Sequence, residues 1–495
     1  MGTAALMPFI YRVLDPTPCT SLRAYIDNGG GEALFAARRV DSSNVIDAIE
    51  RSGLRGRGGA GFPTAVKWRS VLTNASPDTP TPVVINGAEG EPSTFKDRTI
   101  LRNNPYRVLE GALIACAVVQ AEELVICMKR SFADEWAAVT TALNEMVAEG
   151  WVETLRVRRV AGPSAYLFGE ETALLEVVGH RQPFPRVTPP WRRGVDELGD
   201  SEALSATAQL ATPIGTTGAP ALVNNVETLA NVALIVRHGP DWFRELGTDD
   251  SPGSLVCTVV GDLQRHGVAE FAMGTPLRTV IEELGGGAQP GRRIIAVLPG
   301  ASSAVVVGET LLDTPLTHES LKAVGSALGS AGFHCVDDAA DTFALAHGAA
   351  RFLAVESCGQ CLPCKEDGLA VTGLLQQLLD GTAPPDVEAR IAGRLATVTN
   401  EARCSLATQQ QVVVGSLVTL CAVAQQPTRL PDLDATEQVV ALALLPLVDI
   451  VDGVAIYDER HATKQPDWTY DLVDSGSFPA QRLQGQALET EPDPR

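Results

Sequence analysis

A glycine-rich stretch at residues 53–68, GLRGRGGAGFPTAVKW, constrains the fold more than any other part of the chain. Glycine lacks a Cβ and adopts positive φ readily, so a backbone of this composition can close over a flat or phosphorylated ligand. Two arginines and Lys67 add positive charge, and Phe62 and Trp68 add ring surface. The stretch, called the glycine cradle below, therefore predicts a binding site for an aromatic, anionic cofactor.

Three glycines of the cradle, Gly56, Gly58 and Gly61, have the spacing of the dinucleotide fingerprint G-x-G-x-x-G. That fingerprint is informative only where it follows a strand and begins a helix. Residues 20–53 instead predict helix, because the Asp-Ser-Ser segment at 41–43 offers N-caps to an apolar-periodic stretch. The fingerprint is a weak signal here, and an ordinary Rossmann first turn is not expected.

Strand and helix alternate after the cradle. Residues 81–85 predict a strand that runs into a polar loop at 86–92. A helix at 105–119, a strand at 123–128 and a helix at 132–149 follow. This alternation predicts an α/β domain, and ligands of such domains bind at the carboxyl ends of the strands.

A loop at 162–172 begins a helix whose first turn contains Glu170 and Glu171. Two interpretations stay open. Acidic side chains in a first turn stabilise the helix dipole, and on the residues alone this interpretation is favoured. The alternative is a pair of carboxylates facing a ligand.

The second half of the chain changes character. From about residue 250 the order strand, turn, strand, helix, strand predicts a small α+β module of about eighty residues. Beyond it, apolar periodicity and short loops predict an antiparallel bundle of four helices, at 341–355, 365–380, 386–398 and 405–425. The last segment, 426–495, contains 13 acidic and 5 basic residues.

Composition excludes some classes of function. The net charge of −21 argues against a nucleic-acid-binding protein, because neutralising phosphates requires a basic face. No apolar run reaches the ~18 residues of a membrane span. The start of the chain has no basic residue before its short apolar stretch, so a secretory signal is not expected. The expected location is cytoplasmic, or peripheral on the inner face of a membrane through partners.

Three cysteines, Cys358, Cys361 and Cys364, lie at i, i+3 and i+6. Closely spaced thiolates of this kind are typical of iron–sulfur ligation, and Cys404 can supply a fourth ligand. Structural zinc is the alternative, although zinc modules usually present two separated cysteine pairs or cysteine with histidine. The spacing favours a 4Fe-4S cluster. The remaining cysteines are expected to be small buried side chains: Cys19, Cys116, Cys127, Cys257, Cys335 and Cys421.

Five segments in fixed order resemble the NADH- and FMN-binding flavoprotein subunit of respiratory complex I. The same family includes subunits of NAD-linked hydrogenases and formate dehydrogenases. The segments are SGLRGRGGAGFPTAVKW, NGAEGEPSTFKDR, SAYLFGEETALLE, VNNVETLANV and ESCGQCLPCKEDG, the last together with Cys404. The resemblance extends from about residue 20 to residue 425.

The resemblance implies a Rossmann-like α/β FMN-binding domain, an SLBB-type β-grasp module and a C-terminal four-helix bundle that carries an iron–sulfur cluster. The implied boundaries are 1–249 for the FMN/NADH-binding domain, 250–335 for the β-grasp module, 336–425 for the 4Fe-4S domain and 426–495 for an acidic C-terminal extension.

The resemblance also implies the site residues. FMN and NADH would be bound by Gly56, Arg57, Gly58, Gly59, Phe62, Lys67, Asn86, Glu89, Gly90, Glu91, Tyr166, Gly169, Glu170, Glu171, Val223, Asn224, Asn225 and Thr228. Phe62 would lie near the adenine and Glu91 near the nicotinamide amide. Under this implication Glu170 and Glu171 face the ligand, which reverses the preference stated above.

The implied function is that of an NADH dehydrogenase flavoprotein. Hydride passes from NADH to FMN, and single electrons pass to the 4Fe-4S cluster and then to a partner. No side chain is required as a catalytic acid or base, since the cofactors carry the chemistry. The implied partners are a thioredoxin-like 2Fe-2S subunit and a larger iron–sulfur subunit, with neither nucleic acid nor a direct membrane span.

Several residues depart from the family pattern. Ala88 replaces an aspartate expected to contact the flavin, and Ala65 replaces a glycine. Ser70, Thr188 and Trp191 differ on the side expected to hold NADH. The changes at Ser70, Ala88, Thr188 and Trp191 favour an alternative function, an electron-transfer subunit of a hydrogenase or formate dehydrogenase-type complex with weakened or lost NADH binding. A zinc-stabilised interaction scaffold is a third possibility.

Overall fold

The computed structural model describes residues 9–75, 81–191, 194, 219–424 and 443–466. By their contacts these residues divide into two compact units. The N-terminal unit takes its residues from 15–89 and 97–245, and the C-terminal unit from 1–14, 90–96 and 246–476. The predicted domain boundaries stay predictions, but residues 250–335 and 336–425 belong by contact to the same unit.

The N-terminal unit contains a parallel sheet. Its four described strands are β1 (Val83–Gly87), β2 (Glu123–Lys129), β3 (Arg156–Gly162) and β4 (Leu222–Asn225), in the order β3-β2-β1-β4. Every neighbouring pair is parallel. The two central strands are buried on both faces, which explains their continuous apolar runs. The sheet confirms the α/β prediction.

Helices connect and flank this sheet. They are α1 (Leu22–Asp27), α2 (Glu32–Ala37), α3 (Ser42–Ser52), α4 (Thr64–Asn74), α5 (Lys96–Asn103), α6 (Pro105–Val119), α7 (Ala133–Ala148), α8 (Glu171–Val178), α9 (Val226–His238) and α10 (Pro240–Arg244). The predicted helical region at 20–53 is thus three helices, and Gly53 ends the third at φ 73°. Helix α6 connects β1 to β2 and is buried along almost its whole length.

The C-terminal unit contains a mixed sheet. Its five strands within the described ranges are β5 (Ser254–Gly261), β6 (Gly267–Ala272), β7 (Ile294–Pro299), β8 (Val306–Val307) and β9 (Gly332–Asp337), in the order β6-β5-β9-β7-β8. Two helices accompany it, α11 (Leu277–Gly285) and α12 (His318–Ala323). The predicted order strand, turn, strand, helix, strand is confirmed, whereas β8 and β9 were not predicted.

Helices dominate the next part of the C-terminal unit. They are α13 (Thr342–Glu356), α14 (Leu362–Leu379), α15 (Val387–Thr397) and α16 (Leu406–Gln409), which continues through a π-helical turn at Gln410–Val414 into α17 (Gly415–Ala424). The four predicted helical segments therefore match. Among the described residues, no helix is both long and apolar enough to cross a membrane.

Residues 443–466 are the described part of the predicted acidic extension. They form an antiparallel hairpin, β10 (Leu447–Val451) and β11 (Val454–Tyr457), followed by a 3-10 helix at Glu459–Thr463. Leu447 packs in a small core with Phe95 and Val260. The extension is therefore built into the C-terminal unit over these residues.

Candidate functional site

The carboxyl edge of the parallel sheet gathers the predicted flavin residues of the N-terminal unit. β1 ends at Gly87, just before Ala88 and Glu89, and β4 ends at Asn225. β3 leads into a 3-10 helix at Tyr166–Gly169. Because parallel strands end at the same edge, three loops from distant parts of the chain meet there, where ligands of such sheets bind.

The glycine cradle folds back on itself between α3 and α4. The Gly56 amide donates to the Phe62 carbonyl oxygen at 2.8 Å. Gly59 and Gly61 have φ values of 125° and 61°, and the first is strongly unfavourable for any residue with a Cβ. The backbone therefore requires glycine at position 59 and favours it at position 61, as the composition predicts for a tightly turning segment.

The cradle is fixed to the start of α9. The Arg57 amide donates to Thr228 Oγ1 at 2.9 Å. A Cβ placed on Gly58 would lie 3.2 Å from Asn225 Cβ, tighter than ordinary contact. The predicted residues Arg57, Gly58, Asn225 and Thr228 are therefore brought together.

Two asparagines at the end of β4 are held by side chains that are not among the predicted site residues. Asn225 Nδ2 donates to Asp97 Oδ2 at 2.6 Å, while its Oδ1 caps α9 through the Glu227 amide at 3.0 Å. Trp68 Nε1 donates to Asn224 Oδ1 at 2.9 Å. Both unselected residues, Asp97 and Trp68, lie inside the quoted segments, so the signal was available.

The loop after β1 is bound to the loop before α8. Asn86 Nδ2 donates to the Gly169 carbonyl oxygen at 2.8 Å. A Cβ on Gly169 would lie 3.1 Å from the Ala88 carbonyl oxygen, so glycine permits this close approach. The buried Glu89 carboxylate accepts from Arg98 Nε at 3.0 Å and from the Asp97 amide at 3.1 Å. The Glu89 carboxylate therefore holds the end of the sheet edge against Asp97 and Arg98 at the start of α5.

Glu170 and Glu171 have different environments. Glu170 Oε2 accepts from the amides of Thr172 and Ala173 at 3.0 and 2.8 Å, so it is the N-cap of α8. Burial raises the pKa of Glu170 against the effect of these hydrogen bonds. Glu171 forms an ion pair with Lys67 of the cradle, whose Nζ also donates to the Val223 carbonyl oxygen at 3.1 Å. The capping interpretation fits Glu170, whereas Glu171 is turned to the cradle.

Two rings lie together at the rim of the cradle. Phe62 and Trp191 stack with centroids 6.2 Å apart and an interplanar angle of 15°. Phe62 is 42% exposed, which is high for a large apolar side chain. Tyr166, in the 3-10 helix before α8, is half-buried.

Gly90 and Glu91 belong by contact to the C-terminal unit. There Glu91 Oε1 accepts from the Ala301 amide at 3.0 Å, and Oε2 accepts from the Ser330 hydroxyl. A Cβ on Gly300 would lie 2.4 Å from Glu91 Oε1. The carboxylate predicted to bind nicotinamide thus has protein partners of its own.

The three closely spaced cysteines lie around the start of α14. Cys358 is in the turn after α13, Cys361 is the N-cap of α14, and Cys364 is in its first turn. Arg403, the residue before Cys404, donates to Gln360 Oε1 at 3.4 Å. This contact brings the chain next to Cys404 against the turn that carries the other cysteines.

Amide donors point at two of the sulfurs. Gln360 Nε2 lies 3.4 Å from Cys358 Sγ. Gln410 Nε2 lies 3.2 Å from Cys364 Sγ, and it also donates to the Cys364 carbonyl oxygen at 3.0 Å. Gln410 begins the π-helical turn, and such turns are frequent at functional sites. Hydrogen bonds to sulfur suit thiolate ligands of an iron–sulfur cluster.

The cysteine turn is buried and electrostatically coupled. Burial, followed by the neighbouring Cys358 and Cys361, raises the pKa of Cys364 to about 12. Lys365 Nζ donates to the carbonyl oxygens of Ser357 and Ala354 at 2.7 and 2.9 Å. Burial lowers the pKa of Lys365 to about 8, against the opposing effect of Cys358. Within the described ranges, no three His, Cys, Asp or Glu side chains, the predicted cysteine ligands included, are grouped closely enough to hold a metal ion, so the four-cysteine ligand set stays a prediction.

Most of the other cysteines are buried as predicted, namely Cys116, Cys127, Cys257, Cys335 and Cys421. Cys19 is only partly buried. Burial raises the pKa of the Cys421 thiol to about 11, as expected of an unreactive apolar side chain.

Comparison with known proteins identifies the family. The family model "Nuo51 FMN-binding domain" matches residues 49–234, and "NADH-ubiquinone oxidoreductase-F iron-sulfur binding region" matches residues 344–423. One of the F-type subunits of NADH-quinone oxidoreductase in Rhizobium meliloti (strain 1021) is 35% identical over 370 residues, which cover 72% of this chain and 82% of that protein. The chain belongs to the family of F-type subunits of NADH-quinone oxidoreductase.

Other members and solved structures agree with membership of this F-type family. The F-type subunit of NADH-quinone oxidoreductase in Streptomyces coelicolor (strain ATCC BAA-471 / A3(2) / M145) is 33% identical over 386 residues, covering 76% of this chain and 81% of that protein. A solved chain of an air-oxidised NAD+-reducing [NiFe]-hydrogenase superposes with a TM-score of 0.68 at 29% identity. That match covers 84% of this chain and 69% of the hydrogenase chain.

These matches bear directly on the cofactor predictions. The FMN-binding model spans the glycine cradle and the carboxyl edge of the sheet. The iron–sulfur model spans all four predicted cysteine ligands, so the iron–sulfur interpretation holds over structural zinc. The individual contacts of each cofactor stay predictions.

Proposed function

We propose that this chain is the NADH-oxidising subunit of a larger electron-transfer complex. When bound, FMN supplies two-electron acceptance from NADH and one-electron release towards a 4Fe-4S cluster. One observation carries the proposal, namely the meeting of the cradle with the loops after β1, β3 and β4 at a single edge of the parallel sheet. The chain's own residues then bind and orient the cofactors.

The edge suits FMN in shape and charge. The cradle turns at positive φ at Gly59 and Gly61, and its glycines leave the backbone without side chains, which suits the close approach of a flat ring. The first turn of α9 is a natural anion site, because its amides and helix dipole favour negative charge. We assign phosphate binding to Asn225, Thr228 and neighbouring amides. Lys67, held between Glu171 and the Val223 carbonyl oxygen, supplies a fixed positive charge.

Fewer contacts in the structure support the proposed NADH site than support the FMN site. The exposed Phe62 ring and its neighbour Trp191 offer a stacking surface for adenine. No side chain is needed as acid or base, since hydride transfer moves no separate proton. Orientation of the nicotinamide is the task assigned to Glu91.

The cluster is assigned to Cys358, Cys361, Cys364 and Cys404. Gln360 and Gln410 support this assignment because both place amide donors against ligand sulfurs. Such hydrogen bonds stabilise thiolate charge and tune the reduction potential.

The mixed sheet and the partners complete the proposal. The five-stranded sheet with α11 supports the assignment of an SLBB-type β-grasp module. The proposed electron acceptors are a thioredoxin-like 2Fe-2S subunit and a larger iron–sulfur subunit, as membership of the F-type family implies. The proposed location is cytoplasmic, with any membrane attachment made through these partners.

The decisive experiment is anaerobic reduction of the purified protein reconstituted with FMN, iron and sulfide. NADH is expected to bleach the flavin absorbance and to produce the electron paramagnetic resonance (EPR) signal of a reduced cluster. The matched control is Cys358→Ser/Cys364→Ser, which should keep NADH-driven bleaching and lose the cluster signal. If the protein binds FMN but NADH does not bleach the flavin absorbance, the proposed NADH dehydrogenase activity is refuted.

The hydrogen bonds of Glu91 within the protein favour a second function. Its carboxylate already has two protein partners, so the nicotinamide contact is weakened if those bonds persist. The chain would then be an electron-transfer subunit of a hydrogenase or formate dehydrogenase-type complex. In the same experiment dithionite would bleach the flavin absorbance of that subunit, and NADH would not.

A further inference from the structure

A buried carboxylate lies directly before the cysteine turn. Glu356 is the last residue of α13, and its side chain is 1% exposed. Its Oε1 accepts from Lys464 Nζ at 2.6 Å and from His461 Nε2 at 2.7 Å. Both donors are 2% exposed, so all three groups are removed from water. With Arg351 they form what we call the Glu356 network.

Arg351 reinforces these contacts from the same helix. Its two terminal nitrogens donate to the carbonyl oxygens of His461 and Lys464 at 3.1 and 3.0 Å. The His461 ring also lies 5.0 Å from the Phe352 ring. The backbone and the side chains of the C-terminal segment are therefore both fixed to α13.

The Glu356 network is continuous with the predicted cluster ligands. Only Ser357 separates Glu356 from Cys358. The Ser357 carbonyl oxygen accepts from Lys365 Nζ at 2.7 Å, and Lys365 follows Cys364 directly. The electrostatic environment of Lys365 includes Cys358, Cys364, Glu356 and Lys464. Removing the charge of Lys464 would therefore change the electrostatic environment of the cysteine turn.

The donors come from outside the regions that match the family models. The iron–sulfur model ends at residue 423, whereas His461 and Lys464 follow the β10–β11 hairpin. The hairpin is itself held by His266, whose amide donates to the Gly453 carbonyl oxygen at 2.7 Å and whose Nδ1 accepts from the Ala455 amide at 2.8 Å. The segment is thus anchored on the mixed sheet before it reaches α13.

We infer that His461 and Lys464 are positioning residues for the iron–sulfur cluster. They fix the Glu356 carboxylate, and with it the backbone that presents Cys358. Lys464 also balances the negative charge of Glu356 beside the cluster. Reduction adds one negative charge to a cluster, so a nearby cation favours the reduced form and a nearby anion opposes it. This inference rests on the proposed cluster and does not depend on NADH binding.

The test is a redox titration of the reconstituted protein, followed by the EPR signal of the reduced cluster. Lys464→Met should move the midpoint potential to more negative values, and Glu356→Gln should move it to more positive values. The double variant should return towards the wild-type potential, because both charges are gone. Lys464→Arg should keep it. A purely structural role for these side chains would not give shifts of opposite sign.

Arg460→Met is the matched control, since it removes one positive charge from the 3-10 helix that directly precedes Lys464, and the Arg460 side chain is 65% exposed in its pair with Asp458. Its potential should equal that of the wild type. If Lys464→Met does not retain iron and acid-labile sulfide, retention by the double variant supports the inference. Loss of the cluster from both, or single variants that shift together or not at all, overturns it. A wild-type protein that holds no cluster would instead refute the proposed function.

Discussion

Two buried carboxylates, Glu89 and Glu356, lie at comparable places in the two units. Glu89 is itself a predicted cofactor contact, Glu356 lies two residues before Cys358, and both side chains are almost fully removed from water. Glu89 is paired with Arg98, nine residues later in the same segment. Glu356 is paired with Lys464, 108 residues later and beyond the matched iron–sulfur region.

The difference shows two ways of stabilising a cofactor site. At the flavin edge, the charge and its partner occur in one segment, so the loop after β1 brings its own counter-ion. At the cysteine turn, the counter-ion comes from a separate segment, whose β10–β11 hairpin is bound to His266 beside the mixed sheet. Removing one partner of a buried pair is far more costly than never having the pair. Both arrangements are therefore sensitive to single substitutions.

The largest expected effect is that of Arg98→Met at the flavin edge. The substitution leaves Glu89 buried without its guanidinium and removes the cation from the Phe132 ring, which lies 4.8 Å away. Breaking a buried pair typically costs ~3–5 kcal/mol of unfolding free energy. We expect a loss of that order in urea unfolding, with loss of bound FMN on gel filtration.

Two variants sharpen this expectation. Glu89→Gln/Arg98→Met removes both charges and should recover much of the lost stability. Arg69→Met, on α4, breaks the exposed ion pairs with Asp47 and Glu50 of α3 and should leave unfolding unchanged. A loss for Arg98→Met no greater than for Arg69→Met would show that the buried pair contributes little.

The same contrast explains which features could be predicted from the sequence. The cradle, the α/β alternation and the four helical segments carry local signals of glycine, apolar period and capping. The strand β3 was missed because it is an edge strand of the sequence RVRRVAG, whose arginines interrupt the apolar run. The strand β4 was missed because it has four residues and leads directly into α9.

The contacts within the site divide in the same way. Asp97 and Trp68 could have been selected, since both lie inside recognised segments beside predicted ligands. The partners of Glu356 could not, because no pattern links His461 or Lys464 to a helix that ends more than a hundred residues earlier. Glu91 shows a related limit, because its bonds to Ala301 and Ser330 depend on tertiary folding alone.

A smaller effect is expected from Trp68→Phe. Trp68 is fully buried, and the substitution removes its donor to Asn224 Oδ1 while keeping an aromatic ring. A buried acceptor left without its donor costs ~1–3 kcal/mol. Urea unfolding should show this loss, and FMN affinity should fall because Asn224 lies directly before Asn225, the last residue of β4 at the flavin edge.

Trp136→Phe is the matched control for that substitution. Trp136 Nε1 also donates to an oxygen, the Lys129 carbonyl, at 3.0 Å, but neither Trp136, which lies on α7, nor Lys129 is among the predicted flavin contacts. It should lower stability without changing FMN affinity. Equal effects of the two variants on FMN affinity would argue that Asn224 has no special role at the edge.

The smallest expected effect concerns pH, and it separates the two carboxylates because only Glu356 has a histidine partner. Burial lowers the pKa of His461, although Glu356 opposes this; Lys464 and Arg351 are the other charged groups that face the ring. An unfolded histidine titrates near ~6.5, so the stability contributed by neutral His461 is complete above that pH. This contribution to stability is lost as the pH falls from ~6.5 through the lower folded-state pKa of His461.

His461→Gln keeps an N–H donor for Glu356 and cannot titrate. Between pH 7 and pH 5 the unfolding free energy of this variant should therefore fall less than that of the wild type. The exposed His180→Gln should keep the wild-type slope. If His461→Gln is as acid-sensitive as the wild type, the proton taken up on unfolding binds elsewhere, and the Glu356 network is no more sensitive to pH than the Glu89–Arg98 pair.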